Sequence, residues 1–217
     1  MATFGWPELF FILRAAGWTL LLTAVSFLIG GLLGGVIAVM RLSPNRFLRG
    51  FASTWILVIQ AIPVLMVLFM SYYGLSLVGI ELPAFFAASL SLSIYVSAYL
   101  AEIWRGCIES VPYQQWEASS SLALSRGQQY RYVILPQALR IALPPTVGFL
   151  VQLVKNTSIV SVVGFVELSR AGALVNQATF LPFQVFSVVA LIYFLICFPL
   201  SRLSRHLEKV MNAGRHH

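Results

Sequence analysis

Residues 15–40 read AAGWTLLLTAVSFLIGGLLGGVIAVM, a run of 26 residues without one charged side chain. A helix needs about 20 mostly apolar residues to cross the hydrocarbon core of a bilayer. Backbone N–H and C=O groups in that core must be satisfied internally, which an α-helix does within one segment. This stretch therefore predicts a membrane-spanning helix and sets the fold class for the rest of the chain.

The composition of the whole chain agrees with that class. Of its 217 residues, 59% are hydrophobic and 10% are charged, and the mean hydropathy is +0.86. A soluble domain typically carries about 25% charged residues, so a soluble globular protein is excluded. The net charge of +7 would suggest nucleic acid in a soluble protein, but in a membrane protein Lys and Arg collect in cytoplasmic loops. We expect the lipid bilayer as a partner and no nucleic acid.

Five stretches are long and apolar enough to cross a membrane. They are residues 15–40, 53–75, 83–104, 139–165 and 183–200. No internal repeat and no low-complexity linker is evident, so we predict a single all-α integral membrane domain over residues 1–217, with about five transmembrane helices. The two cysteines, Cys107 and Cys197, suggest neither a metal site nor a disulfide framework by number or spacing.

The Lys and Arg residues predict the orientation of these spans. Eleven of them fall on one side of the predicted bilayer, and only Arg14 and Arg170 fall on the other. The eleven are Arg41, Arg46, Arg49, Arg105, Arg126, Arg131, Arg140, Arg202, Arg205, Lys209 and Arg215. Because basic residues favour the cytoplasmic side, we expect the N-terminus outside and the C-terminus in the cytoplasm. The polar stretch at about 112–136 then faces the cytoplasm.

The second half of span one carries Gly30, Gly31, Gly34 and Gly35, which form two overlapping Gly-x-x-x-Gly pairs. Small residues at this spacing let two helix backbones approach closely. The partner helix belongs either to a second copy of the subunit or to the same chain. The second alternative is favoured, because such glycines serve both uses and packing within the chain needs no further assumption.

A short cytoplasmic helix is predicted between spans three and four. Pro112 suits a helix start, residues 113–124 contain no Pro or Gly, and Gly127 is a plausible stop. The small residues Ala118 and Ser119–Ser121 would let a partner surface come close, so we interpret the helix as a docking element. The alternative is an amphipathic helix lying on the bilayer. Such helices usually carry Lys or Arg on the polar face, and residues 113–124 carry none.

The same segment resembles the loop that permease subunits of ATP-binding-cassette importers offer to their ATPase. The family pattern is Glu-Ala-Ala, three residues, Gly, nine residues, then Ile-x-Leu-Pro. Here Glu117, Ala118, Ser119 and Ala123 precede Val133-Ile134-Leu135-Pro136 at the same spacing. Ser119 replaces the second Ala and Ala123 replaces the Gly. The resemblance implies that Glu117, Ala118, Ser119 and Ala123 dock an ATPase.

Further stretches are similar to the polar amino-acid uptake branch of these permeases. They include Ala98–Gly106, Ile134–Arg140, Leu143-Pro144-Pro145 and Lys155-Asn156-Thr157-Ser158. The branch usually has Asp where Asn156 stands and Arg-Gly-Thr-Pro where Gln60-Ala61-Ile62-Pro63 stands. The resemblance implies an importer subunit in the bacterial inner membrane. Its implied partners are ABC ATPase subunits, a second permease subunit in a homodimer or heterodimer, and an extracytoplasmic amino-acid-binding protein.

Polar side chains inside the spans are candidates for the substrate pathway, because such groups are costly in lipid. They are Lys155, Asn156, Thr157, Ser158, Gln60 and Glu102. Lys155 could meet the carboxylate of an amino acid, and Glu102 could meet its ammonium group or a basic side chain. The structural alternatives are a Lys155 that pairs with backbone carbonyls or with Glu102, and a Glu102 that pairs with Arg105 three residues later.

The chain contains no phosphate-binding Gly-x-x-x-x-Gly-Lys-Ser/Thr loop and no catalytic motif. We therefore expect no enzyme activity, no metal site and no cofactor in this chain, with ATP and Mg bound by partner subunits. Two other functions stay open: a stand-alone channel or proton-coupled secondary carrier, with Glu102 or Lys155 as relay, and a membrane enzyme. The lack of duplicated halves argues against most secondary carriers.

Overall fold

The computed structural model describes residues 4–213, which form helices and no strand. Arg215, one of the basic residues that predict the orientation, lies outside that range. In chain order the helices are α1 Trp6–Leu42, α2 Arg46–Ala61, α3 Val64–Leu77, α4 Ala84–Glu109, α5 Tyr113–Ser121, α6 Arg126–Val163, α7 Leu168–Thr179 and α8 Pro182–Ala213. Helix α6 contains a π-helical turn at Gln129–Ile134 and ends as a 3₁₀-helix over Thr157–Val163. The predicted all-α membrane class is confirmed.

Four helices, α1, α4, α6 and α8, are each long and apolar enough to cross a membrane. The second predicted span, residues 53–75, is not one continuous helix. Helices α2 and α3 meet at an angle of 103° instead. Pro63 has no N–H and restricts the residue before it to extended geometry, and Ile62 accordingly has φ −104° and ψ 133°. Helices α2 and α3 are long and apolar enough for a fifth membrane crossing only if they form one bent span together.

Helix α7 is an element that hydropathy does not reveal. It follows the 3₁₀ end of α6, packs against α1 and α8, and buries Leu168, Ala171 and Val175 in a cluster with Ile12 and Val189. Glu167 caps its first turn, and Phe180 ends it in the left-handed region with φ 57°. The connection between spans four and five is therefore a packed helix.

The glycines of α1 face α4 of the same subunit. A Cβ on Gly30 would stand 2.5 Å from Val96 Cβ and 2.7 Å from the Ser93 carbonyl oxygen. A Cβ on Gly34 would stand 3.0 Å from the Ser97 carbonyl oxygen. These two glycines let the backbones of α1 and α4 touch. The glycines therefore pack against a helix of the same chain, as the favoured alternative predicts.

We predict that Gly30→Ala destabilises the bundle by about 1–3 kcal/mol, the usual cost of inserting a methyl group into a filled contact. The matched control is Gly17→Ala on the same helix, where an added Cβ meets nothing within 4 Å. This control should be neutral or slightly stabilising, because Gly is the poorer helix former. Thermal unfolding in detergent compares the two variants. Equal midpoints for Gly30→Ala and wild type would contradict the close contact.

Candidate functional site

Helix α5 lies on the bundle between α4 and α6 and is held there by aromatic and aliphatic contacts. Trp116 packs edge-to-face on Tyr130 with ring centroids 5.1 Å apart. Both belong to a cluster around the buried Val111, Ile134 and Ala138. Since Val111 follows the end of α4, and Ile134 and Ala138 belong to α6, the short helix is fixed to both long helices.

The chain leaves α5 through a turn in which Ala123 has φ 54°. The Ala123 N–H donates to the Ser120 carbonyl at 2.9 Å, and the Leu124 N–H donates to the Ser119 carbonyl at 3.3 Å. This pair of bonds is the Schellman stop, whose left-handed position is usually a glycine. Ala123 is thus the stop, and the predicted stop at Gly127 is wrong because Gly127 lies inside the first turn of α6.

A buried glutamine fastens the turn to the start of α6. The Gln129 side-chain amide donates to Ser120 Oγ and to the Leu124 carbonyl, each at 3.0 Å. Gln129 is 9% exposed, so these bonds are shielded from water. They fix the direction in which α5 ends and α6 begins.

Three of the four predicted docking residues are on the surface: Glu117, Ala118 and Ala123 are exposed. Ser119 is 2% exposed, and its hydroxyl donates to the Trp116 carbonyl at 2.9 Å. Its side chain therefore does not fit the expectation of a docking contact. The reason is the rotation of the helix: residues three apart share a face, and Trp116 turns that face toward the bundle.

Helices α6 and α8 enclose an open groove of about 620 Å³. Its polar lining residues are Lys155, Tyr193, Ser201, Ser204 and Arg205. Lys155 is exposed in this groove, and among residues 4–213 no carboxylate lies in an ion pair with it. The groove therefore has a cationic side chain near each end and can accept a carboxylate-bearing molecule.

The three residues after Lys155 differ in their surroundings. Asn156 is half-buried, contacts the Tyr95 hydroxyl and accepts a long bond of 3.3 Å from the Gln152 amide. Thr157 is completely buried and donates to the Val154 carbonyl at 2.7 Å, and Ser158 donates to the Lys155 carbonyl at the same distance. The hydroxyls of both residues are thus satisfied by backbone groups, and the Asn156 amide is the more available of these neighbours.

Glu102 and Gln60 are not among the residues that line this groove. Glu102 accepts a hydrogen bond of 3.0 Å from Arg105 Nε, and Arg105 also pairs with Glu109. This is the predicted i,i+3 pair, and it occupies the Glu102 carboxylate on its own helix. Gln60 is exposed on α2, one turn before the bend at Pro63. A role for either residue in the pathway stays a prediction.

Sequence reasoning missed one functional candidate, Glu167. This carboxyl is completely buried, which a glutamate between two spans does not suggest. The signal available was its position directly before Leu168, where an acidic side chain can cap a helix. Within residues 4–213 no group of three or more His, Cys, Asp or Glu side chains could hold a metal ion.

Comparison with known proteins gives a family. Residues 26–212 match the model of the binding-protein-dependent transport system inner membrane component. The chain is 37% identical to the probable amino-acid ABC transporter permease protein YckA of Bacillus subtilis, over 92% of this chain and 88% of the relative. It is 36% identical to the nopaline transport system permease protein NocM of Agrobacterium fabrum, over 93% of this chain and 88% of the relative.

Solved structures agree. The chain matches a crystal structure of an amino acid ABC transporter with histidines at a TM-score of 0.88 and 36% identity, over 92% of this chain and 93% of that one. The MetNI methionine ABC transporter in an inward-facing conformation matches at a TM-score of 0.74 and 21% identity, over 94% and 99%. The second likeness concerns the fold alone.

We predict that Ala123→Gly stabilises the turn that ends α5 by about 0.5–1 kcal/mol, because glycine adopts a positive φ without the Cβ clash of alanine. Ala118→Gly is the matched control, since it makes the same change inside α5 and should cost about 1 kcal/mol. Amide hydrogen exchange over residues 113–128 measures both. Slower exchange in Ala118→Gly than in Ala123→Gly would contradict the geometry of this turn.

Proposed function

The chain belongs to the family of binding-protein-dependent transport system inner membrane components, and from this premise we propose that it is the permease subunit of an ATP-driven importer for polar amino acids. The observation that carries the proposal is α5: an exposed helix with the family's Glu-Ala pattern, fixed to two membrane helices. The relatives named for amino acids, glutamine and nopaline support the substrate class. In this reading the chain binds no nucleotide itself, and ATP and Mg belong to its ATPase partners.

Helix α5 can transmit force because its underside is packed and its outer side is free. Trp116 and Val111 tie it to α4 and α6, and Gln129 ties its end to α6. An ATPase that holds Glu117 and Ala118 and then moves takes both long helices with it. The first turns of α6 lead through Pro144 and Pro145 to Lys155, so motion at the docking surface reaches the groove.

Two permease subunits would pair, each on one ATPase, and an external binding protein would deliver the substrate. The exposed polar residues of α6 and α2, Gln152, Lys155 and Gln60, then face a route between subunits instead of lipid. A charged group in lipid costs several kcal/mol, which favours that placement. The subunit lies in the bacterial inner membrane, with α5 on the cytoplasmic side.

Lys155 is the residue we assign to the substrate carboxylate. It is a cation in a groove that offers it no carboxylate, so an amino acid supplies the missing charge. In the assembled complex, where a second subunit covers the groove, a charge shielded from water needs such a partner. Asn156, next to it on the aromatic surface of Tyr95, Tyr99 and Phe149, would contact the remainder of the substrate.

The docking assignment is tested by Glu117→Lys in the complex reconstituted with its ATPase and binding protein. Reversing a charge at a docking face costs several kcal/mol, so we expect lost assembly, or ATP hydrolysis without uptake, while the chain still inserts. The control is Glu81→Lys, the same change in the exposed loop before α4. Unchanged ATPase co-purification and uptake in Glu117→Lys would refute the docking role.

The pathway assignment is tested by Lys155→Met, which should keep insertion and ATPase docking but weaken uptake by tens to thousands of times. In the assembled complex, where the groove is covered, loss of a charged partner costs about 2–5 kcal/mol. Lys209→Met, near the end of α8, is the control and should leave uptake unchanged. If Lys155 only braces the bundle, Lys155→Met lowers thermal stability and expression first.

Asn156→Asp tests the neighbouring position, because it adds a negative charge where the substrate side chain would lie. We expect the preference to shift toward cationic amino acids, measured by competition among glutamine, glutamate and arginine for uptake. An unchanged profile in a complex of normal stability removes Asn156 from the site.

A further inference from the structure

Glu167 sits in the short connection between α6 and α7, where it is 0% exposed. Its Oε1 accepts a hydrogen bond from the Arg170 N–H at 2.8 Å, and its Oε2 accepts one from the Ser169 N–H at 2.9 Å. Oε2 also accepts a hydrogen bond of 3.0 Å from the Tyr193 hydroxyl. Burial raises the pKa of this carboxyl above its ordinary value, and these donors act against that rise. The group is thus buried at a cost and held by several partners.

Together with bonds of the neighbouring residues, these bonds join α7 and α8 to α1, which is far from both in the chain. The Leu168 N–H, next to Glu167, donates to Thr19 Oγ1 of α1 at 3.1 Å. Tyr193 belongs to α8, and its hydroxyl oxygen lies 2.9 Å from Ser169 Oγ of α7. The Tyr193 hydroxyl gives its hydrogen to Glu167, so Ser169 is the donor in that second bond. The carboxylate therefore fixes the direction of the tyrosine hydroxyl.

Tyr193 in turn borders the groove between α6 and α8, in which Lys155 is exposed. Its hydroxyl also contacts Thr157, two residues after Lys155. Only the side chain of Tyr193 thus lies between Glu167 and the groove. A displacement of the Tyr193 ring alters the wall that lies next to Lys155.

Capping α7 does not by itself explain a glutamate at this position. Shorter side chains, Ser, Thr, Asp and Asn, are the preferred caps. The additional methylene of glutamate extends the carboxylate to a third donor on α8. A residue that only caps α7 would not need this third bond.

We propose that Glu167 is a positioning residue for the transport pathway, which through Tyr193 sets the wall of the Lys155 groove and thereby the affinity for substrate. The inference rests on the proposed function, because it assumes that substrate passes this groove.

The first experiment measures uptake by the complete complex carrying Glu167→Gln or Tyr193→Phe. The substrate is whichever of the twenty protein amino acids wild type takes up best. We expect KM to rise about three- to thirtyfold, which lies within the range of coupling between neighbouring residues, with kcat changed less than twofold. The double variant should show no more than the larger single effect, because both changes break one bond. Glu81→Gln and Tyr73→Phe, at exposed sites, are the matched controls.

The second experiment needs no substrate. Ser158→Cys places a thiol three residues after Lys155. It is made in a Cys197→Ser background, because Cys197 lies in the groove wall, and the remaining native cysteine, Cys107, is buried. We expect Glu167→Gln and Tyr193→Phe each to change the labelling rate of this thiol by a water-soluble maleimide at least threefold, while Glu81→Gln does not. If Glu167→Gln fails to assemble, Tyr193→Phe carries both tests, because it keeps the cap and the ring.

The proposal is overturned if KM and labelling rate stay at wild-type values in assembled Tyr193→Phe. It is also overturned if Glu167→Gln lowers thermal stability alone, which is the result for a simple cap. A wild-type complex that takes up none of the twenty amino acids refutes the proposed function instead. In that case the labelling rates still decide whether Glu167 positions the groove wall.

Discussion

Contact between the backbones of α1 and α4 is the constraint on which the arrangement of this bundle depends. Helices in lipid gain little from the hydrophobic effect and associate through close packing and hydrogen bonds. Gly30 and Gly34 allow that packing, and α4 then becomes the helix against which α2, α3 and α6 are set. From α4, Ser97 receives a bond from Trp55 of α2 at 3.1 Å, and Trp104 donates to Thr146 of α6 at 3.0 Å. The helices that carry Gln60 and Lys155 are therefore both placed by reference to α4.

The first and the last turns of α6 are held in different ways. At its start, aromatic packing and the Gln129 amide fix α5 to the first turns of α6. At the other end, the 3₁₀-helix of α6 lies near a buried cluster of polar groups around Glu167 and Tyr193. Pro144 and Pro145 lie between these two ends, and Ser204 of α8 donates to the Pro144 carbonyl at 2.8 Å. Helix α6 thus runs without interruption from its contact with α5 to the groove.

Four long helices and the short α5 could be predicted from the sequence, because uninterrupted apolar runs and a proline at a helix start are local signals. The break at Pro63 could not, since hydropathy averages across a proline and many membrane helices tolerate one. Helix α7 was missed because its residues are too polar for a span. Ser119 faces the bundle because Trp116 sets the rotation of α5. The burial of Glu167 depends on contacts with Thr19 and Tyr193. Such contacts between distant residues leave no local pattern.

The bend between α2 and α3 has a consequence for water. At about 1.5 Å per residue, neither half reaches the thickness of about 30 Å that a hydrocarbon core requires. In a pair that makes one crossing, the junction therefore falls at membrane depth. The last carbonyls of α2 and the first amides of α3 lack helical partners there, and each such group in hydrocarbon costs several kcal/mol. Pro63 accepts bonds from the amides of Met66 and Val67, but it cannot serve the carbonyls on the other side of the bend. Those carbonyls require hydration or a neighbouring protein surface, so a permanently dry, lipid-facing position for this corner of the molecule is energetically forbidden.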